Sequence, residues 1–295
     1  MEQFYRFAGI SRQGFHQRLS RKSLQDEITQ LLIKKGLEVR NEKNHPRMGA
    51  RSIFYHLKMC EPSFLSSIKI GVNKFEKTLL DHGFRLPRVT SYRITTRGNG
   101  FRFPNLIKGK ILNNINQVWS SDITYWEVYL NHKKIFFYLT LIMDIYSRRV
   151  IGYSLSKKLT TEVTTIPALQ MCWKIRNFQS TQNLSGLIFH SDAGGQYYDA
   201  VFLSMLEEKQ IKSSMAEKAT DNAYSERLNG VLKNQYLLAW SPSIEKQLLP
   251  LVQQAIWAYN NEKPHRALNH LSPVLFEKKM LDLPDFQRTQ VIIKG

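Results

Sequence analysis

Three acidic residues stand where an acid is out of place. Asp122 lies inside a strand-like run, QVWSSDITYWEVYL. A carboxylate is disfavoured within a strand and costly to bury, so something must compensate it. Asp192 ends the short apolar run LIFHSD and is followed, after Ala193, by Gly194 and Gly195. Glu226 falls about one turn into the helical stretch TDNAYSERLNGVLK, which Asp221 or Asn222 would cap. Carboxylates drawn from different elements to one point are what two-metal phosphoryl transfer needs, as hard oxygen ligands for a pair of cations about 3.5–4 Å apart. Each acid also has an ordinary reading: an edge residue for Asp122, a turn cap for Asp192, a solvated helix face for Glu226. Asp144, in IMDIYSRR, reads as a strand-end group paired with Arg148 or Arg149.

The elements around these residues decide between the readings. QVWSSDITYWEVYL, IFFYLTLIMDIYS and RRVIGYSLS read as three strands joined by short connections, which makes an antiparallel meander. A helix over about 161–178, the strand ending at His190, a helix near 199–209, the strand IKSSM and a helix from about 222 to 238 follow. The order β-β-β-α-β-α-β-α predicts an α/β fold: a ribonuclease H-like mixed-sheet core, with the fourth strand beside the first and Asp192 near Asp122. His190 shares the strand face of Asp192, either beside the site or as a packed core histidine.

Ahead of this core the chain is helical and basic. The 295 residues carry a net charge of +18, and residues 1–110 alone hold 22 Lys and Arg against 8 Asp and Glu. A localised basic excess is a footprint for a polyanion. FYRFAGISRQGFHQRLSRK reads as a helix, a Gly9 turn and a second helix capped by Ser11, an all-α helix-turn-helix-type pattern. Its second helix offers Arg12, Gln13, His16 and Arg18 to DNA; a plain αα-hairpin is the alternative. SLQDEITQLLIKKGLEV carries capping-box spacing at Ser23 and Asp26, and helices over about 49–59 and 73–82 precede Gly83. The expected organisation is a basic helical DNA-binding region at 1–85, a basic linker at 86–117, the catalytic core at 118–240 and a C-terminal helical extension at 241–295. No apolar run reaches the ~20 residues of a membrane span. The two cysteines, Cys60 and Cys172, form no CxxC pair, which points to a reducing compartment.

Taken together, NQVWSSDITY, IMDIYSRRVIGYSLS, HSDAGGQY, SMAEKATDNAYSERLNGVLKNQ and YNNEKPHRALNHLSP resemble the IS3-family insertion-sequence transposases, whose integrase core is shared with retroviral integrases. The resemblance covers nearly the whole chain. It implies a DDE transposase with Asp122, Asp192 and Glu226 as catalytic metal ligands. It also implies two Mg²⁺ ions, which Mn²⁺ can replace, and Mg-dependent cleavage and strand transfer at insertion-sequence ends. The partners implied are double-stranded DNA (terminal inverted repeats and target), a second copy of the chain in a synaptic complex, and an upstream-frame DNA-binding protein. The place implied is the bacterial cytoplasm at the nucleoid. The 33 residues between Asp192 and Glu226 are slightly fewer than in the family pattern. No paired His and Cys cluster is present, so no zinc domain is expected. Gly194 (with Gly195) would let the DNA backbone approach, Gln196 and Tyr197 would line its path, and Lys233, His265 and Arg266 would meet phosphates. The alternatives at this point are a catalytically inactive DNA-binding regulator derived from a transposase, and a nuclease of the same fold.

Overall fold

In the computed structural model, Tyr5, Phe7 and residues 9–87, 103–130, 133–179, 182–240, 242 and 244–293 are described. The chain divides into two units, Met1–Pro87 and Arg88–Gly295.

The first unit is helical. Helix α1, Arg12–Asn41, opens where Ser11 Oγ accepts the Gly14 N–H at 3.0 Å, the cap expected there. It then runs for 30 residues without a break. The helix start expected at Ser23 is therefore absent. A capping box works only where the chain enters from non-helical backbone, and the stretch from Arg18 to Glu27 has no Gly or Pro to provide that entry. Helices α2 (Ala50–Cys60), α3 (Pro62–Ile68) and α4 (Val72–Asp81) pack against the second half of α1. Their core includes Leu32, Val39, Ile53, Leu57, Phe75 and Leu79. Among the described residues the first half of α1 has no such cover, and Leu19 and Leu24 are about half exposed at 48% and 58%.

The second unit begins with a short strand, β1 (Ile111–Leu112), and is built on a five-stranded sheet. Strands β2 (Val118–Leu130), β3 (Lys133–Asp144) and β4 (Val150–Ser156) form the antiparallel meander. Strands β5 (Ile188–Ser191) and β6 (Lys212–Met215) extend it in parallel from β2, so the order across the sheet is β4-β3-β2-β5-β6. One face buries Trp119, Ile142 and Ile151 under helices α5 (Thr165–Ile175) and α6 (Ala200–Glu207). The other buries Leu139, Leu141 and Met143 under helix α7 (Ala223–Val231) and helix α8 (Leu248–Asn261). Helix α5 sits very close to β4: a Cβ built on Gly152 would stand 2.2 Å from the Ala168 carbonyl oxygen. A mixed sheet in this order with helices on both faces is the ribonuclease H-like arrangement.

Two segments that read as peripheral are part of this unit's core. Ile107 and Leu112, in the stretch expected to be linker, are 1% and 0% exposed. Strand β1 pairs antiparallel with a final strand, β7 (Val291–Ile292). The segment expected as an extension supplies α8 to one sheet face, and helix α9 (Pro273–Leu281) packs Phe276 and Met280 against Ile145 and Tyr146. Their apolar positions are too few in sequence to seal a core alone, so they close the one begun by the sheet.

Candidate active site

Parallel pairing of β2 with β5 puts Ser120 opposite His190, so Asp122 and Asp192 both lie two residues past that rung. Helix α7 is fastened to β2 beside them. Ser120 Oγ donates to Asn222 Oδ1 at 2.8 Å and lies 2.5 Å from Ser225 Oγ, and Asn222 Nδ2 donates to the Ser121 carbonyl at 3.1 Å. Glu226 follows Ser225, and one turn later Asn229 Nδ2 donates to Asp122 Oδ2 at 2.6 Å. Neither expected cap is made at this helix. Asn222 is spent on β2, and Asp221 Oδ2 instead accepts the N–H groups of Glu217 and Lys218.

The electrostatics are those of crowded acids. Burial, then the charge of Asp192, push the Asp122 carboxyl up to about 7, and Glu226 adds to this. Hydrogen bonds from Ile123 N–H and Asn229 oppose the rise. Burial also raises Asp192, partly offset by the Gly194 N–H, which donates to its Oδ1 at 3.1 Å. Among the described residues no three His, Cys, Asp or Glu side chains already stand together as one ligand cluster. The acids interact pairwise, Asp122 with Asp192 and Asp122 with Glu226. Asn229 Oδ1 beside them is a buried acceptor without a hydrogen-bond partner. An all-oxygen, negatively overcharged donor set with a spare carbonyl oxygen fits hard divalent cations such as Mg²⁺.

Sequence comparisons agree with this chemistry. Two integrase core domain families match residues 113–220 and 208–273. An uncharacterized 31 kDa protein of insertion element IS600 from Shigella sonnei is 26% identical over 277 residues, covering 92% of this chain and 96% of that protein. The transposase InsF of IS3A from Escherichia coli K12 is 31% identical over 171 residues, covering 56% of this chain and 55% of InsF. The chain carries an integrase core domain and is similar to the insertion-sequence transposases of the IS3 family. Its integrase core is that of a DDE transposase, a polynucleotidyl transferase. Aligned residues span little more than half of InsF and 62% of the IS904 transposase from Lactococcus lactis. Among solved structures, the HTLV-2 integrase catalytic core in complex with magnesium has 22% identity and a TM-score of 0.42, covering 59% of this chain and 99% of that one.

Several residues around this integrase core sit differently from expectation. Tyr197 is 3% exposed and does not line a DNA path. Its ring packs with Phe189 and Phe202, and its hydroxyl lies 2.8 Å from Ser121 Oγ, beneath the two aspartates. His190 is the packed core histidine: fully buried, with Nδ1 2.9 Å from Ser214 Oγ, and driven to about 4 chiefly by burial. Gln196 uses its amide to bind the Leu159 carbonyl at 3.1 Å. A Cβ on Gly194 would stand 3.0 Å from Asp192 Oδ1, so this glycine makes room first for the carboxylate itself, whereas Gly195 faces open space. Lys233 is partly buried, which lowers its pKa, while the charge of Asp122 draws it the other way. His265 is not a surface cation: its ring packs edge-on to Tyr259 at 4.8 Å, and burial with nearby cations holds it well below the usual histidine range. Arg266 is exposed, as are Arg12, Gln13, His16 and Arg18 on α1.

Asp144 pairs with neither Arg148 nor Arg149. Fully buried, it pairs with Arg176 at 3.0 Å, and Arg176 also binds Glu277, which holds Arg149. Arg176 and Glu277 lie 32 and 133 positions away, beyond any local charge pattern. Arg148 instead lies over the Tyr224 ring, 4.0 Å from its centroid.

Proposed function

We propose that Asp122, Asp192 and Glu226 are the catalytic carboxylates of this transposase, and that the chain cuts DNA strands at the ends of an insertion sequence and joins them to a target. The observation that carries the reading is the convergence of charge on Asp122 from two other elements, β5 through Asp192 and α7 through Glu226. Two Mg²⁺ ions, or Mn²⁺ in their place, would be held by Asp122 with Asp192 and by Asp122 with Glu226, and would supply activation of the attacking oxygen and stabilisation of the leaving one. The residues around them supply position. The Ser120–Asn222–Ser225 contacts hold α7 against β2, so Glu226 cannot drift from Asp122. Asn229 orients one Asp122 oxygen and the Ile123 N–H the other. Gly194 N–H orients Asp192, and Gly195 leaves space on the approach side. The attacking group is a water for cleavage and a DNA 3′-hydroxyl for joining, so no covalent protein intermediate is required.

The exposed Arg12, Gln13, His16 and Arg18 on α1 are the proposed contacts to terminal inverted repeats, with Arg266 and Lys233 as further phosphate contacts. Because two DNA ends must meet, the working form is at least a dimer, and an upstream-frame protein can join it. Among the described residues no helix is long and apolar enough to cross a membrane. The bacterial relatives and the DNA substrate together favour the cytoplasm, at the nucleoid.

The test is a cleavage and strand-transfer assay on duplexes carrying the element's ends, with Mg²⁺ and the upstream-frame protein added. Wild type is compared with Asp122→Asn, Asp192→Asn and Glu226→Gln. The expected result is cutting and joining by wild type alone, with DNA binding retained in all four. A variant that cuts as well as wild type removes that acid from the site.

A further inference from the structure

Four cationic or basic side chains, from the β3–β4 turn, α7 and the segment just after α8, share one neighbourhood. Arg148 sits in the β3–β4 turn at a left-handed φ of 63°, its guanidinium face on Tyr224. Arg227 follows Glu226 on α7. Lys263 comes just after α8, 9% exposed, with its backbone N–H bonded to Ala258. His265 is held by its bridge to Leu271 and by Tyr259. The charges of Arg148 and Arg227 bear on both His265 and Tyr259, and that of Arg227 bears on Lys263, so these groups share one neighbourhood.

Among the described residues no carboxylate pairs with Arg148, Arg227 or Lys263. Arg148 Nη1 and His265 Nε2 are buried nitrogens with no hydrogen-bond partner. Burial, and then Arg227, push the Lys263 ammonium down to about 8. Holding the buried Lys263 and the half-buried Arg148 near the exposed Arg227 without a paired carboxylate is costly, and the Tyr224 ring covers only one face of one guanidinium. The unpaired N–H groups therefore match a ligand with several acceptor oxygens and negative charge, and phosphate is the anion that an arginine edge and a lysine hold best.

We infer that Arg148, Arg227, Lys263 and the neutral ring of His265 form a pocket that receives one backbone phosphate of bound DNA, beside the helix that carries Glu226. This rests on the reading of the chain as a DNA strand transferase, and it gives the segment Lys263–His265 a task in fixing the register of DNA against Glu226. Tyr224, stacked on Arg148 and two residues before Glu226, is the link between the pocket and the site.

The test uses the full chain and Lys263→Met, which keeps the apolar stem and removes the charge, with Arg148→Gln as a second variant. Thermal unfolding is followed in inorganic phosphate and in chloride of equal ionic strength, and duplex DNA binding is followed against salt. The expected result is that phosphate raises the wild-type Tm and not that of either variant. The slope of log K against log salt should fall by about 0.9 in each variant, an approximately eightfold loss of affinity near 0.1 M salt. Both variants should be at least as heat-stable as wild type in chloride. Loss of stability in both variants, with no phosphate effect on wild type, overturns the pocket and makes the cations structural. Phosphate protection of wild type with an unchanged DNA salt slope overturns the DNA assignment. Asp122→Asn should keep the phosphate effect in full, so failure of the catalytic triad and failure of this pocket give different results.

Discussion

Asp122→Asn should make the metal-free protein more stable, although it removes the acid proposed as the centre of the catalytic site. The Asp122 carboxyl is raised from 3.8 to about 7 by burial and by Asp192. An acid whose folded pKa is raised favours the folded state fully below its unfolded pKa. That contribution is lost as pH rises through the folded value, here between about pH 4 and pH 7. Above pH 7 the native state carries an ionised group that it resists. A rise of that size corresponds to about 4 kcal/mol at most. The Asp122 side chain is only partly buried by surface area, so solvent screening reduces this to about 1–2 kcal/mol. Asparagine also fits the local hydrogen bonds: if the Asn229 amide turns over, its unpartnered Oδ1 can accept from the new amide while the new carbonyl keeps the Ile123 N–H. All five tryptophans, Trp119, Trp126, Trp173, Trp240 and Trp257, lie in the second unit, so tryptophan fluorescence follows its unfolding alone. At pH 8 with chelator, Asp122→Asn should melt about 2–8 °C above wild type, and the gap should close towards pH 4. Saturating Mg²⁺ should stabilise wild type and leave the variant unmoved, narrowing or reversing the order. A gap that does not vary with pH, or a variant less stable at pH 8 than wild type, would refute the crowded-acid reasoning.

Arg176→Met should leave Asp144 and Glu277 buried without their shared cation and cost about 3–5 kcal/mol by urea titration; adding Glu277→Gln should restore part of it. Gly152→Ala should cost about 1–3 kcal/mol or more, because its Cβ would overlap the Ala168 carbonyl and the Cys172 sulfur, and a tryptophan-monitored melt unchanged within about 1 °C would contradict the close approach of α5. Asn222→Ala should lose about 1–3 kcal/mol through the Ser120 and Ser121 contacts, and should lower strand transfer more than DNA binding, since it loosens the seat of Glu226 rather than the DNA surface; an equal drop in both would count against a positioning role.

Strand-level patterning is legible in the sequence because the period of two and the short connections of the meander are local signals. The register that levels Asp122 with Asp192 follows from strand order plus two residues of counting past the Ser120–His190 rung. Features that depend on distant partners are not legible. Ser120 and Ser121 look like neutral strand filler, yet they anchor Asn222, Ser225 and Tyr197 from 76 to 105 positions away. Tyr197, beside two glycines, reads as exposed turn chemistry; its burial depends on Phe189 and Phe202. The sequence suggests a break in α1 at Ser23 because a capping pattern is present there, but no element of chain reversal accompanies it and helix propensity carries through.

The polar residues of the second unit fall into two kinds, and the difference argues for function in only one. Around Asp144 the charges pair within the fold: its carboxylate accepts from the backbone N–H groups of Asn116 and Tyr146 and pairs with Arg176, and Glu277 takes Ser147, Arg149 and Arg176. That network locks α5 and α9 to the end of β3. Around Asp122 the acids repel, and around Lys263 the cations do, with no ion pair to Asp122 or to Lys263 among the described residues. Both imbalances flank the one helix that carries Glu226, and they have opposite sign. A fold under selection for stability alone would have let the acids and cations meet; here they are kept apart on different elements, a negative cleft suited to cations and a positive pocket suited to phosphate. A DNA strand brought with divalent metal would discharge both at once, so binding of the two should be mutually reinforcing: DNA affinity should rise with Mg²⁺ in wild type and not in Asp122→Asn. Equal Mg²⁺ dependence in the two proteins would mean that the two imbalances are not discharged by the same ligand.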